Sequence, residues 1–206
     1  MCLVTLSFRP AVALARDAKA AEWAGDPYLL KTDPVSGEVL GDKPVVMQHE
    51  GRELRFASEQ NAETFKKDPA KYLAKVDAEL IKQQLPVYPL DVCPVTGEKL
   101  GGMGEAVNVI TKNRLVRLCC PGCRGELAKN GAAIIAKLDA AVVEKQMKDY
   151  PLQTCAVLGG KLGEMGEPVN VVVGNRLVRL CCGGCVAKVR KDPLTYLAKI
   201  DAARPR

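Results

Sequence analysis

The residues NRLVRLCCPGC at positions 113–123 recur almost unchanged as NRLVRLCCGGC at positions 175–185. In both places a strand-like run ends in three cysteines spread over five positions. The similarity extends upstream without a gap, so that YPLDVCPVTGEKL from Tyr88 aligns with YPLQTCAVLGGKL from Tyr150 at an offset of 62 residues. An internal repeat of this length predicts tandem copies of one small structural unit.

A third copy precedes these two and contains no cysteine. It begins at Tyr28 with YLLKTDPVSGEVL, at an offset of 60 residues that becomes 62 after a two-residue difference in a loop. Four apolar positions support the alignment and lie at i, i+7, i+8 and i+11, as Phe65, Tyr72, Leu73 and Val76 do in this copy. That spacing is typical of one buried face of a helix.

Each copy is expected to fold as a turn, a β-hairpin and C-terminal helices. In the second copy the hairpin strands are predicted at residues 107–110 and 115–118. A helix should follow the cysteine cluster, and Asp68-Pro69, Asn130-Gly131 or Asp192-Pro193 should interrupt it and start a second helix. The sequence therefore predicts an α+β fold of three tandem small modules. Their expected boundaries are 27–87, 88–149 and 150–206, after a leader or tail at 1–26.

Modules of about 60 residues bury little apolar surface and are marginally stable alone. A metal ion or a disulfide would therefore help the second and third copies to fold. The first copy has Asp33, Ala57, Ser58 and Asn61 at the four cysteine positions. Its stability is expected to come from its aromatic side chains and from the neighbouring copies.

Eight of the nine cysteines form two equivalent sets of four. They are Cys93, Cys119, Cys120 and Cys123 in the second copy, and Cys155, Cys181, Cys182 and Cys185 in the third. A cysteine in a turn together with a cluster at a strand-to-helix junction is how small zinc modules collect their ligands. Turn N–H groups and a helix N-terminus also stabilise thiolates. We therefore predict about two ions per chain, either zinc or another soft transition metal such as Cu(I).

The number of thiolates at each site is left open by the sequence. Three residues after the first cysteine, the second copy has Thr96 and the third has Leu158, so the turn is expected to supply one ligand. Adjacent cysteines rarely both point at one ion. A closed site with four thiolates and a site with three thiolates and an open position both fit the pattern.

Three alternatives compete with a function in metal handling: redox chemistry, a structural disulfide and a purely structural zinc ion. Cys120-Pro-Gly-Cys123 is a C-x-x-C motif at the start of a helix, as in thiol–disulfide oxidoreductases, although a hairpin unit of this size lacks a βαβ core. In an exported protein Cys93 could instead form a disulfide with one cluster cysteine. Zinc could also be purely structural, in a scaffold that binds other proteins. We predict a non-enzymatic protein, since the single histidine lies in the copy without thiols and no phosphate-binding loop is present.

These motifs resemble the YHS/TRASH family of small metal-binding domains. The resemblance is carried by the Asp33-Pro-Val-Ser-Gly37 and Cys93-Pro-Val-Thr-Gly97 turns, the Cys-x3-Cys pairs at 119–123 and 181–185, and the Lys-Asp-Pro-x-x-Tyr segments at 67–72 and 191–196. It covers residues 27–203. It implies a treble-clef, zinc-finger-like fold and a role in heavy-metal sensing, trafficking, sequestration or resistance.

Composition and charge narrow the partners. No apolar run approaches the roughly 20 residues of a membrane span. The net charge of +6 is spread out and is not interleaved with aromatic residues, so nucleic acid is an unlikely partner. Metal ions are the expected ligands, and the first copy is a candidate surface for a protein partner. The apolar N-terminus with Ala13-Leu14-Ala15 suggests export to the periplasm or secretion, with the cytoplasm as the alternative. Arg114, Arg117, Arg176 and Arg179 are expected to face solvent.

Overall fold

A computed structural model of the chain describes residues 24–204, so most of the predicted leader and Cys2 lie outside the described part. The elements repeat three times in the same order. The first copy has β1 (Val45–His49), β2 (Arg52–Phe56), α1 (Glu59–Lys67) and α2 (Pro69–Gln84); the second has β3 (Val107–Thr111), β4 (Arg114–Leu118) and α3 (Arg124–Met147); the third has β5 (Val169–Val173), β6 (Arg176–Leu180), α4 (Val186–Lys191) and α5 (Pro193–Ala202). The predicted α+β class with small hairpins and helices is confirmed. The treble-clef assignment and the module boundaries stay predictions.

Each hairpin is a separate two-stranded antiparallel sheet. The second and third hairpins are rich in β-branched residues. Two residues connect the strands of each hairpin, as in the second copy, where Lys112 and Asn113 both have positive φ (44° and 67°). Two consecutive left-handed residues give the tight turn whose twist matches that of the strands. In all three copies one strand leads directly to the junction where the cysteine cluster, or its replacement, lies.

The turn before each hairpin has the same backbone hydrogen bonds in the three copies. In the second copy the N–H of Gly97 donates to the carbonyl of Cys93 at 2.8 Å, and the N–H of Cys93 donates to the carbonyl of Glu98 at 2.7 Å. Gly97 has a φ of +80°, a conformation that suits glycine. The turn therefore fixes the direction of its first side chain.

The predicted interruption of the helices takes two forms. Asp68 and Asp192 cap α2 and α5, each accepting a hydrogen bond from a backbone N–H, and a proline opens both helices. In the second copy Asn130 has φ −116° and ψ 27°, and α3 continues through this kink. Gly131 keeps the backbone N–H that proline lacks, so nothing forces a full break there.

The hydrophobic interior of the described residues forms two clusters. One core cluster joins the first and third copies, with Phe56 and Phe65 in the same cluster as Leu180 and Val189, whereas the second copy has its own cluster. No helix among residues 24–204 is long and apolar enough to cross a membrane.

In the first two repeats, a glutamine near the end of the last helix hydrogen-bonds to the turn of the next hairpin. The Gln84 side chain donates to the carbonyl of Asn113 and accepts from the N–H of Leu115, both at 2.9 Å. Gln146, 62 residues later, makes the same two bonds to Asn175 and Leu177. Each repeat is therefore positioned by the one before it.

An arginine at the start of the second strand has a different environment in each repeat. Arg52, Arg114 and Arg176 pair with equivalent aspartates of the following helices, Asp77, Asp139 and Asp201. The expectation that Arg114 faces solvent is wrong, because its side chain is only 1% exposed. Its guanidinium also contacts both carboxylate oxygens of Asp26 at 2.6 and 2.8 Å, and donates to the carbonyl of Val172 in the third repeat at 3.0 Å.

Asp26 and Arg114 form a buried charge pair that joins three parts of the chain. Asp26 also accepts from the N–H of Gly174 at 2.7 Å. Removing one member of such a pair leaves the other charge buried without its partner. We expect Asp26→Ala to lower the free energy of unfolding by about 3 kcal/mol, because it leaves Arg114 buried without its main partner. The loss should be no larger, because Asp139 still contacts Arg114.

Urea denaturation followed by circular dichroism measures this change. The matched control is Asp201→Ala, which removes the equivalent but half-exposed partner of Arg176 and should cost about 0–1 kcal/mol. Equal decreases in the free energy of unfolding would show that the Asp26–Arg114 pair stabilises the fold no more than the half-exposed pair does.

Candidate metal centres

Three thiols of the second repeat converge on one point. Cys93 comes from the turn, Cys119 follows β4, and Cys123 directly precedes α3. Their Sγ atoms all lie within 4.8 Å of one another, with 3.9 Å between Cys93 and Cys123 and 3.7 Å between Cys119 and Cys123. All three side chains are buried. Residues far apart in sequence thus form a single sulfur pocket.

The third repeat reproduces this arrangement. Cys155, Cys181 and Cys185 also lie within 4.8 Å of one another and are buried. The Cys155–Cys185 and Cys181–Cys185 distances are 3.8 and 4.0 Å. The local sequence folds in the same way because the turn, the hairpin and the helix start are shared.

The spacing of these sulfurs fits a metal ion. With metal–sulfur bonds near 2.3 Å and tetrahedral angles, two thiolates on one zinc ion lie about 3.8 Å apart. The four sulfur–sulfur distances given above, 3.7–4.0 Å, are close to that value. A disulfide would need sulfurs about 2.05 Å apart, and all eight described cysteines are free thiols. Soft thiolates suit zinc and Cu(I).

The fourth cysteine of each set lies at the rim. Cys120 Sγ is 4.0 Å from Cys119 Sγ and 3.8 Å from Cys123 Sγ, but Cys120 is outside the buried group of three. Cys182 has the same position, 4.0 Å from both Cys181 and Cys185. Both rim residues are partly exposed. The structure therefore brings three predicted ligands together in each set and places the fourth beside two of them.

The cysteine in each turn has a lowered pKa. Burial alone would raise the pKa of Cys93, but N–H groups of Cys119, Thr96 and Val95 point at its sulfur and lower the pKa to about 6. The pKa of Cys155 is lowered to about 7 against the effect of burial in the same way. Burial, together with hydrogen bonds shared among the thiols, raises the pKa of Cys123 and Cys185 to about 12. A binding ion would therefore have to displace the proton of Cys123 or Cys185.

The two clusters differ at one neighbouring residue. Thr96 Oγ1 lies 3.4 Å from Cys119 Sγ, close enough to donate a hydrogen bond to a thiolate. The equivalent Leu158 is 57% exposed and offers only its backbone N–H, which donates to Cys155 Sγ at 3.5 Å. Thr96 therefore supports a ligand in the second repeat in a way that Leu158 does not in the third.

In the first repeat a carboxylate connects the three segments that meet at the sulfur cluster in the other repeats. Asp33 replaces the turn cysteine and is 2% exposed. One oxygen accepts from the N–H groups of Val35 and Ser36 at 2.6 and 3.0 Å, and the other accepts from the Ala57 N–H and the Asn61 side chain at 2.6 and 3.0 Å. Ala57 and Asn61 stand where Cys119 and Cys123 stand in the second repeat. Four hydrogen bonds thus join the same turn, strand and helix.

This role of Asp33 was missed at the level of sequence. Aromatic packing was expected to hold the first copy together, and Phe65 does contact Phe56 and Tyr72. The signal that could have revealed the carboxylate is the pairing of Asp33 with Asn61 at two former cysteine positions, because an amide can donate to a carboxylate.

A tyrosine supports each cluster from behind. The hydroxyl of Tyr88 accepts from the N–H of Arg117 at 3.0 Å, and the guanidinium of Arg117 lies 5.8 Å from the ring centre. Tyr150 and Arg179 repeat both contacts. These bonds hold the strand that leads to Cys119 or Cys181.

Asp33 should make the stability of the chain depend on pH in the acid range. Burial alone would raise its pKa, but the four hydrogen bonds outweigh burial and lower it below the usual value. A carboxylate with a lowered pKa in the folded state stabilises the fold above about pH 3.9, the usual unfolded value, and loses that contribution as the pH falls further.

We therefore expect Asp33→Asn to be less stable than wild type by about 1–3 kcal/mol at neutral pH. The difference should shrink as the pH falls below about 4. Urea midpoints measured across this range check the result, and a difference that does not change with pH would contradict it.

Thr96 should increase the metal affinity of the second repeat. Groups that hydrogen-bond to metal ligands typically change affinity by about 10–100-fold. We expect Thr96→Val to weaken zinc binding about tenfold and Leu158→Thr to strengthen binding in the third repeat.

Competition with a coloured chelator measures both affinities. Each variant is combined with a serine at the buried cysteines of the other site, so that one site is observed at a time. Unchanged affinities in both variants would show that the Thr96 hydroxyl does not contribute to metal binding.

The comparisons with known proteins add no identity to this geometry. The chain matches no protein-family model, and no curated protein or solved structure was found to be similar to it. The resemblance to YHS/TRASH domains consequently stays a prediction based on short motifs. The function has to be argued from the two sulfur clusters.

Proposed function

We propose that this chain is a non-enzymatic protein that binds one soft transition-metal ion in each of its two cysteine clusters. The observation that carries the proposal is the duplicated group of three buried thiols within 4.8 Å of one another. Buried thiols at this spacing are arranged for ligation, because an ion offsets the cost of burying thiolate charge.

A thiol–disulfide oxidoreductase accounts for fewer of these features. Disulfide exchange needs an accessible nucleophilic thiol and a partner thiol. Cys120 is partly exposed and lies 3.8 Å from Cys123, so this pair meets the requirement. The other two cysteines of the set do not fit this function. Here Cys93 lies 30 residues from Cys123 in sequence, yet its sulfur is buried 3.9 Å away. The C-x-x-C reading leaves Cys93 and Cys119 without a role, whereas metal ligation uses both.

A purely structural role for the metal is the second candidate. The first repeat argues against it, because four hydrogen bonds to Asp33 close the same junction without any thiol. The fold therefore has an alternative to a metal at this position. Two sites that retain their cysteines favour metal trafficking, sequestration, sensing or resistance over structural support alone.

Several finer points belong to this proposal. Zinc and Cu(I) both suit thiolate sites, and the sulfur spacing does not distinguish them. The motif resemblance to YHS/TRASH domains supports a role in handling heavy metals. We propose export to the periplasm or cell exterior, with the cytoplasm as the alternative. The first repeat, which has no thiol site, is the proposed surface for a protein partner.

The metal content tests the proposal directly. Protein purified under anaerobic, reducing conditions and loaded with zinc should contain about two ions per chain, measured by mass spectrometry of the elements. Cys93→Ser combined with Cys123→Ser should reduce the content to one, and the matched pair Cys155→Ser with Cys185→Ser should do the same. Asp33→Asn should leave it at two.

Circular dichroism of the same samples shows whether the chain is folded. A folded wild-type chain that holds no metal under these conditions would overturn the proposed function.

A further inference from the structure

The rim cysteines differ from the buried cysteines in a way that both repeats share. Cys120 lies within 4.0 Å of two buried sulfurs, yet it is partly exposed, whereas Cys93, Cys119 and Cys123 are at most 5% exposed. Cys182 repeats this position in the third repeat. The same asymmetry of three buried thiols and one exposed thiol thus occurs twice.

The backbone beside each rim thiol leaves its sulfur open to solvent. The residues that follow are Pro121 and Gly122 in the second repeat, and Gly183 and Gly184 in the third, and all four are exposed. A Cβ atom built on Gly122 would lie 3.7 Å from Cys120 Sγ, and one on Gly184 would lie 3.9 Å from Cys182 Sγ. Glycine therefore keeps a covering side chain away from the rim sulfur at the same place in both clusters.

The buried thiols and the rim thiol differ in exposure, although backbone N–H groups reach both kinds: those of Cys123 and Gly122 donate to the Cys120 sulfur. The turn fixes Cys93 through its N–H bond to Glu98 and its carbonyl bond from Gly97. Cys119 is fixed by the strand that precedes it and by Thr96. Three buried ligands and one accessible ligand would allow an ion to stay bound while one of its bonds is exchanged.

This inference rests on the proposed metal-binding function. We propose that Cys120 and Cys182 are the exchangeable ligands through which a metal ion passes between each buried cluster and a thiol-bearing donor or acceptor. In the exchange, a thiolate of the partner forms a bond to the ion while the bond from the rim sulfur breaks. The rim cysteine takes up the proton that the partner thiol has lost, so charge is conserved and no electron is transferred.

The chemistry of the partner follows from the position of the rim. A thiolate matches the softness of an ion held by three sulfurs, and its single sulfur atom fits where the rim sulfur departs. The partner is therefore a thiol, either a small molecule or an exposed cysteine pair of another protein. Glutathione and a short Cys-x-x-Cys peptide represent these two sources, and S-methyl glutathione is the matched control without a free thiol.

The first experiment removes the rim thiols from the zinc-loaded full-length chain. Cys120→Ser combined with Cys182→Ser should keep two ions per chain, and each ion should lose one of its four thiolates. Cobalt substitution reads the thiolate number from the sulfur-to-cobalt absorption. Exchange of bound zinc with an isotope of zinc in solution should become at least tenfold faster, because the fourth position is open. Glutathione should bind at that position as a replacement ligand, and S-methyl glutathione should not.

The second experiment keeps every thiol and covers the rim. Gly122→Val combined with Gly184→Val should leave the zinc content and the cobalt spectrum unchanged. Zinc transfer to the thiol acceptor should slow at least fivefold. The faster of the two thiol probes with wild-type protein identifies the source as a small thiol or a protein dithiol.

Three outcomes would overturn the inference. The first is an unchanged rate of zinc transfer in the Gly122→Val, Gly184→Val variant, because covering the rim should slow transfer through it. Loss of the ions from the rim variant, as expected for Cys123→Ser, would show that the rim thiol is an essential ligand and would overturn the inference. An unchanged thiolate number and exchange rate would show that it is not a ligand and would also overturn it. All three results leave the metal content of the wild-type chain intact, so they are distinct from failure of the proposed function.

Discussion

Each repeat depends on one junction, where the turn, the end of the second strand and the start of the first helix have to be held together. A unit of about 60 residues has too small an apolar core to fix three such segments by packing alone. The chain meets this constraint with two kinds of chemistry at the same position. Asp33 joins the segments through four hydrogen bonds, whereas the later repeats place three buried thiols there. Because a carboxylate can replace the thiols in the same backbone, the cysteines are the variable part of the design and the junction is the constant part.

A second set of polar contacts turns the three repeats into an interdependent structure. Gln84 and Gln146 hydrogen-bond to the turns of the second and third hairpins and so connect each of these hairpins to the preceding repeat. The Asp26–Arg114 pair adds contacts between the N-terminal segment, the second hairpin and the third. The cost of burying these charges is offset only when every partner is in place, so the network favours one arrangement of the repeats. The cysteine clusters are thereby positioned by residues that do not belong to them.

The local parts of this structure could be predicted from sequence, and the long-range parts could not. The hairpins, the aspartate caps and the cysteine sets follow from residue patterns that repeat at a fixed offset. The burial of Arg114 does not, because Arg52 and Arg176 are the same residue at the equivalent positions and have other surroundings. Its main partner, Asp26, is 88 residues away in sequence and has no counterpart in the repeat pattern. The alignment likewise found four cysteines in each set, but the difference between three buried thiols and one rim thiol depends on side-chain direction at two adjacent residues.

That difference between adjacent cysteines bears most directly on function. Cys119 directly follows β4 and its side chain is buried, and the next residue of an extended backbone directs its side chain to the other side. The extended φ and ψ of Cys120, −156° and 164°, place its sulfur at the edge of the cluster, where it still reaches two of the buried thiols. Cys182 has nearly the same angles, −160° and 165°. Two neighbouring cysteines thus supply one buried and one accessible sulfur from the same short segment. The extended backbone accounts for this difference, because it directs the two side chains to opposite sides.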